Sequence, residues 1–247
     1  MASISEMVYD FKMKMDRVDS LSQQDFNLGE IDWLLNEAQL VFVKRRFSGA
    51  SNPKQKGFEN TQKRIDDLST LVIKYPVQPP ILTTLLDTGV YEADLSDTVY
   101  PYMFLVDAYV DLNIDSTCTI TGVPLKFIQH DDLRESLRDP FNSPSLEFVP
   151  YNLGKSSSGD SSSIYIYGGD LPASSINSVY VEYVKYPSKM WSGGYEYLDG
   201  VTYPTTDCEL PDQTHSEIVD IACELAALNI ENPEYIQLKS RKVLVNE

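Results

Sequence analysis

The sequence is poor in the residues that carry chemistry. Only two histidines occur in 247 residues, His130 and His215, and only three cysteines, Cys118, Cys208 and Cys223. No glycine-rich phosphate loop, no CxxC, no HExxH and no GxSxG is present, so the common nucleotide-binding, redox, zinc-protease and serine-hydrolase signatures are excluded. No run of about 18 apolar residues exists, so no membrane-spanning helix is expected. The first residues have neither a basic stretch nor a continuous apolar one, and no signal peptide is read. The cysteines are odd in number and scattered, which fits buried free thiols and folding in a reducing cytoplasm.

Basic residues are also scarce after the first third. The first 75 residues hold 11 Lys/Arg and 11 Asp/Glu, so the whole net charge of −17 lies in residues 76–247. Nucleic-acid backbones demand cationic partners, and a chain this acidic repels them. Apolar content of 42% with 23% charge is nevertheless that of a folded globular protein able to bury a core.

The apolar residues fall into three regimes. Ile4, Met7, Val8, Phe11, Met15 and Val18 keep helical spacing. A second helix follows the capping signal Asn27-x-x-Glu30, with Ile31, Leu34, Leu35, Ala38, Val41 and Phe42 on one face. Lys44-Arg45-Arg46 stand in its last turn, where cations meet the negative end of the helix dipole. Breakers occupy 48–57. A third helix is expected from Phe58 to about Val72, with Ile65, Leu68, Leu71 and Val72 inward. Tyr75-Pro-Val-Gln-Pro-Pro80 then reads as an extended linker.

From residue 76 to about 208 the pattern is mainly β. Strands are expected at 102–112, at 118–129 with breaks at Gly122 and Pro124, and at 146–151, 163–167 and 179–186. A short helix, 131–138, closes at Asp139-Pro140. The serine-rich stretch 154–163 reads as a hairpin tip. The last regime is a helix, with Ile218, Ala222, Leu225 and Leu228 in phase and Thr214-x-x-Glu217 as its capping box, ended by Pro233.

Burial joins these regimes. Three N-terminal apolar stripes and one C-terminal stripe need partners. The expected fold is α+β: a helical bundle from 1–75 and 209–247, with an antiparallel β domain, a sandwich or small barrel, inserted at 76–208. Ile218, Ala222 and Leu225 should then meet Phe11, Leu35 or Phe42.

Candidate site residues are few. His130-Asp131-Asp132 could offer metal ligands, but a strand end and an Asp helix cap explain them more simply. His215 reads as a capping or packing residue. No cofactor is called for. Tyr165, Tyr167, Tyr180, Tyr183, Tyr186, Tyr195 and Tyr197 are a sheet core and rim, or a carbohydrate or protein surface. Lys44, Arg45 and Arg46 are interface candidates, as are Lys239, Arg241 and Lys242, the only basic cluster after residue 76.

Two stretches carry a resemblance. Tyr183-Val-Lys-Tyr-Pro187 followed by Leu210-Pro-Asp-Gln-Thr-His-Ser-Glu-Ile-Val219 resembles the head-to-tail adaptor, or ring, proteins of short-tailed bacteriophages. Ile31-Asp-Trp-Leu-Leu-Asn-Glu-Ala-Gln-Leu-Val-Phe-Val-Lys-Arg-Arg46 with Thr61-Gln-Lys-Arg-Ile-Asp-Asp-Leu68 is similar to the ring proteins of crAss-like phages. The resemblance implies a non-enzymatic virion protein in the neck or tail, assembled in the host cytoplasm. It implies a homo-oligomeric, dodecameric ring that binds the portal and other tail proteins, with DNA passing through the lumen unbound. The other readings are a β-sandwich that recognises host-surface carbohydrate through its tyrosines, and a hydrolase using His130 with Asp131 or Asp132.

Overall fold

The computed structural model describes residues 3–16, 26–48, 62–77, 89–95, 100–115, 118–139, 144–145, 147, 149–156, 162–168, 176–197 and 199–229. Among them the chain is α+β, in the order α1 (Ile4–Asp16), α2 (Leu28–Ser48), α3 (Gln62–Leu68), β1 (Val72–Val77), β2 (Val90–Asp94), β3 (Tyr102–Asp115), β4 (Cys118–Phe127), α4 (Leu133–Arg138), β5 (Val149–Lys155), β6 (Ser162–Tyr167), β7 (Ile176–Lys185) and α5 (Asp212–Asn229). It divides into two compact units, Met1–Leu71 with Pro187–Glu247, and Val72–Tyr186.

The first unit is helical. Helix α1 begins with a reciprocal cap: the Ser3 N–H donates to the Glu6 carboxylate at 3.0 Å, and the Glu6 N–H donates to Ser3 Oγ at 3.4 Å. Helix α2 begins with half of that device, as the Asn27 N–H donates to Glu30 Oε2 at 2.9 Å. The stripes expected for both helices are inward at Ile4, Met7, Val8, Phe11, Ile31, Leu34, Leu35, Ala38 and Phe42. Val18 lies outside the described residues.

Helix α5 packs on α2 and on α1. Ile218 and Ala222 are buried between helices and Leu225 is half-buried. The capping box expected there does not form. The helix starts at Asp212, so Thr214 is already inside it, buried, with its hydroxyl donating to the Pro211 carbonyl at 2.8 Å. Glu217 turns to Arg46 and Lys63 instead. The Leu228 side chain and Pro233 lie outside the described residues.

Helix α3 is shorter than its pattern suggests. It ends at Leu68, and Val72 already belongs to β1. Ile65 points outward at 39% exposure, whereas Arg64 and Asp67 are buried beside Leu68. Asp67 pairs with Arg46 there, and Leu68 and Leu71 of the expected stripe are buried. Residues 58–61 lie outside the described residues.

Among the described residues the second unit holds a seven-stranded sheet in the order β1-β7-β3-β4-β5-β6-β2. Five of its joints are antiparallel, but β4 and β5 run parallel through Leu125–Phe127 and Val149–Tyr151. The sheet is therefore mixed, not the wholly antiparallel one expected. The parallel joint exists because α4 lies between β4 and β5 and returns the chain to the same end of the sheet. Helix α4 itself buries nothing, and Asp132 holds its N-cap position without a side-chain capping bond.

Two strands differ from the reading of their sequence. Tyr75-Pro-Val, expected as linker, is the end of β1 paired with β7. Proline is tolerated because β1 ends the strand order. Gly122 and Pro124, expected to break a strand, lie inside β4. Gly122 takes a positive φ of 74° and its N–H donates to Asp111 Oδ1, beside a register shift in β3 between Val110 and Leu112. Pro124 precedes the segment that pairs with β5. Between them the strands bury Val110, Leu112, Val149, Ile164, Ile166, Val179, Val181 and Tyr183 in one core.

Candidate functional site

The helical unit builds its most distinctive surface at the N-terminal half of α2. The chain leaves the sheet after Lys185, and residues 187–211 belong to the helical unit. Two polar residues one turn apart on α2 hold this loop. Asn36 offers its amide in both directions: Oδ1 accepts the Met190 N–H at 2.8 Å, and Nδ2 donates to the Met190 carbonyl at 2.9 Å. Asp32, wholly buried, accepts from the Ser192 N–H at 2.8 Å, from the Ser192 hydroxyl at 2.9 Å and from the Tyr195 hydroxyl, all on Oδ2. A buried carboxylate needs such donors to offset its desolvation. Burial, and then the Asp32 carboxylate beside it, hold the Tyr195 phenol well above its ordinary pKa.

The anchored loop is packed by its own aromatic rings. Trp191 stacks on Tyr203 with centroids 4.2 Å apart and meets Tyr197 edge-on at 4.8 Å. Isolated bridges Trp191 to Thr206 and Glu196 to Thr202 fold it back as a small hairpin. At its tip Asp199 accepts from the Tyr203 hydroxyl and the Val201 N–H, which pull its carboxyl below the usual range. Gly29 admits the loop to the helix: a Cβ there would stand 3.2 Å from the Tyr195 ring.

Between this loop and the start of α2 lies a groove of about 940 Å³, lined by Phe26 to Glu30, Trp33, Leu34 and Tyr195 to Tyr197. Trp33 is 49% exposed and Leu28 39%. Glu30 and Glu196 are exposed on its rim. Phe26 is held from behind by Phe11, edge-on at 5.5 Å.

The three basic residues at the other end of α2 part company. Lys44 and Arg45 are exposed. Arg46 turns inward, over the Phe42 ring at 5.0 Å, and pairs with the buried Asp67 of α3 at 3.1 Å and with Glu217 of α5. Lys63 meets Glu217 at 3.1 Å, and Gln213 donates to Asp67 at 3.0 Å. This network fastens α2, α3 and α5 at one point. Lys239, Arg241 and Lys242 lie outside the described residues.

The remaining candidates occupy structural settings. His130 is exposed, yet Nε2 bonds the Leu153 carbonyl at 2.8 Å and Nδ1 meets Asn152 Nδ2 at 3.2 Å. With these partners Nε2 donates to the carbonyl and Nδ1 accepts from the Asn152 amide. His215 is buried with Nε2 on the Leu210 carbonyl at 3.0 Å. Among the described residues no group of three or more His, Cys, Asp or Glu is placed to hold a metal ion. Among the tyrosines Tyr183 is wholly buried, Tyr165, Tyr167, Tyr180, Tyr195 and Tyr197 are half-buried, and Tyr186 is exposed. Burial pushes the Cys208 thiol up to about 11, and Cys223 is wholly buried. No described helix is long and apolar enough to cross a membrane.

Sequence reasoning missed the Asp32 and Asn36 clamp. Its signal was present: two polar residues four apart on the apolar face of α2, and a Trp, Tyr and Gly-rich stretch from 191 to 203.

An architecture of anchored loops and helix seams suits an assembly subunit, and comparison with known proteins agrees. The family described as phage tail ring protein 3/4 matches residues 2–234. The chain belongs to that family. A relative, "Ring protein 4/5" of Bacteroides phage crAss001, is 25% identical over 232 residues, which cover 91% of this chain and 92% of the relative. The resemblance read at Ile31–Arg46 and Tyr183–Val219 therefore extends over nearly the whole chain. The coarse function follows: a structural protein of the phage tail ring class.

Proposed function

We propose that the chain is a subunit of a homo-oligomeric ring, dodecameric as its adaptor-like sequence implies, that links the portal to the tail and lines the passage for DNA. The observation that carries the reading is the family match across residues 2–234. Three features support it. The described residues concentrate their polar work on fastening elements together, at Asp32, Asn36 and Arg46, rather than around a reacting centre. The excess of negative charge denies DNA the counterion release on which tight binding depends, so DNA slides past without adhering. The exposed Lys44 and Arg45 offer a cationic patch to an acidic neighbour.

In this reading the helices form the ring-building bundle and the β unit is an inserted domain. The protein works in the virion, performs no catalysis and needs no cofactor. Electron microscopy of the purified chain, alone and mixed with portal and other tail proteins, tests it. Closed rings, or the chain seated as a ring on the portal, are expected. A chain that stays monomeric in every mixture contradicts it.

A further inference from the structure

We propose that neighbouring copies join head to tail, the Lys44 and Arg45 end of α2 in one copy docking on the Trp33 groove of the next. This rests on the ring reading above and specifies which surfaces make the ring. Both surfaces lie on the helical unit and on one helix. The groove has an apolar wall with Trp33 and Leu28 exposed, and an acidic rim at Glu30 and Glu196. Lys44 and Arg45 are exposed and form no ion pair among the described residues, in contrast to Arg46 beside them.

Geometry makes the pairing intermolecular. Glu30 and Arg45 stand fifteen residues apart on α2, about 22 Å along a continuous helix. A rigid rod of that length keeps its acidic and basic ends from meeting within one chain. Two complementary patches at opposite ends of one element make a heterologous contact, the kind that closes rings when the rotation allows. A large, partly exposed tryptophan in a groove is the usual anchor of such a contact, with rim charges setting register and on-rate.

The occupant is a second copy because the charges are complementary within this one sequence and the family is a ring family. Glu30 also caps α2 through its Oε2, so Glu196 is the better acidic position to reverse.

The test compares self-association of the full chain by mass photometry and sedimentation with that of Lys44→Glu/Arg45→Glu, Glu196→Lys, their triple combination and Trp33→Ala. Both charge reversals and Trp33→Ala are expected to weaken association at least tenfold, with melting temperatures near the parent's. The triple variant restores an opposite charge at position 196 only, with Glu30 still opposing the reversed end of α2, and should recover part of the association that either reversal loses. Parent-like association in the reversals and in Trp33→Ala overturns this contact and leaves the ring reading standing. A triple variant that stays dissociated overturns the charge pairing. A parent chain that never self-associates, alone or with tail proteins, overturns the ring reading itself. Assembly only in the presence of a different tail protein overturns the assignment of a second copy as occupant.

Discussion

At the scale of single residues, buried polar groups distinguish the positions that matter. Asp32 collects three donors on one oxygen with no exposure. Asp32→Ala strands those donors, each unmade bond costing about 1–3 kcal/mol, and a loss near 3 kcal/mol is expected in urea unfolding. Arg46→Ala leaves Asp67 charged and buried, and a comparable loss of about 3 kcal/mol is expected. Lys44→Ala and Arg45→Ala, exposed, should change stability by less than about 0.5 kcal/mol. The contrast among three consecutive basic residues was not legible in the sequence. A helix dipole argument treats Arg46 like its neighbours, and only the distant Asp67 and Glu217 separate it.

Two titrations belong at this scale. Burial pushes the Tyr151 phenol up to about 12. The folded state then keeps a proton that the unfolded state releases from about pH 10. Stability from this group is therefore fully present below pH 10 and declines as pH rises toward 12. Tyr151→Phe should show a shallower alkaline decline than the parent, measured as urea midpoint against pH. Cys208, pushed up by burial, and the buried Cys223 should resist thiol reagents at pH 8 until unfolding. A Cys118→Ser chain assayed with a chromogenic disulfide checks this: no fast-reacting thiol is expected in the native protein.

At the scale of elements, helices were read better than their ends. The inward faces of α1 and α2 follow period and burial, because apolar residues at helical spacing have one economical resting place. The Thr214 box failed because α5 starts at Asp212, three residues earlier than the box requires, so the hydroxyl finds the Pro211 carbonyl at the helix start. Helix α3 forms and buries Leu68, and Leu71 after it, as expected, but it ends before Val72 and turns Ile65 outward, while Asp67 is buried against Arg46. The strands at Val72–Val77 and Val90–Asp94 were missed where prolines and short length masked the alternation. The prediction at this scale concerns α5. Ile218→Ala removes a fully buried branch from the surface packed on α1 and α2, and a loss of about 2–4 kcal/mol is expected from the unfolding midpoint.

At the scale of the whole molecule, the α+β class was legible and the sheet's connectivity was not. A parallel joint depends on where α4 returns the chain, and no local pattern records that. The anchored loop at 187–211 was equally hidden, since its anchors lie more than 150 residues away on α2. What the sequence carried most clearly was a lack of catalytic motifs, together with a ring-protein pattern that the family match extends over the chain. Electron microscopy of the purified chain with and without portal is the most direct measurement of the proposed ring role. Closed rings of uniform subunit number, with rotational symmetry, are the result predicted. Single dispersed copies at every concentration, unchanged by portal or other tail proteins, would contradict it.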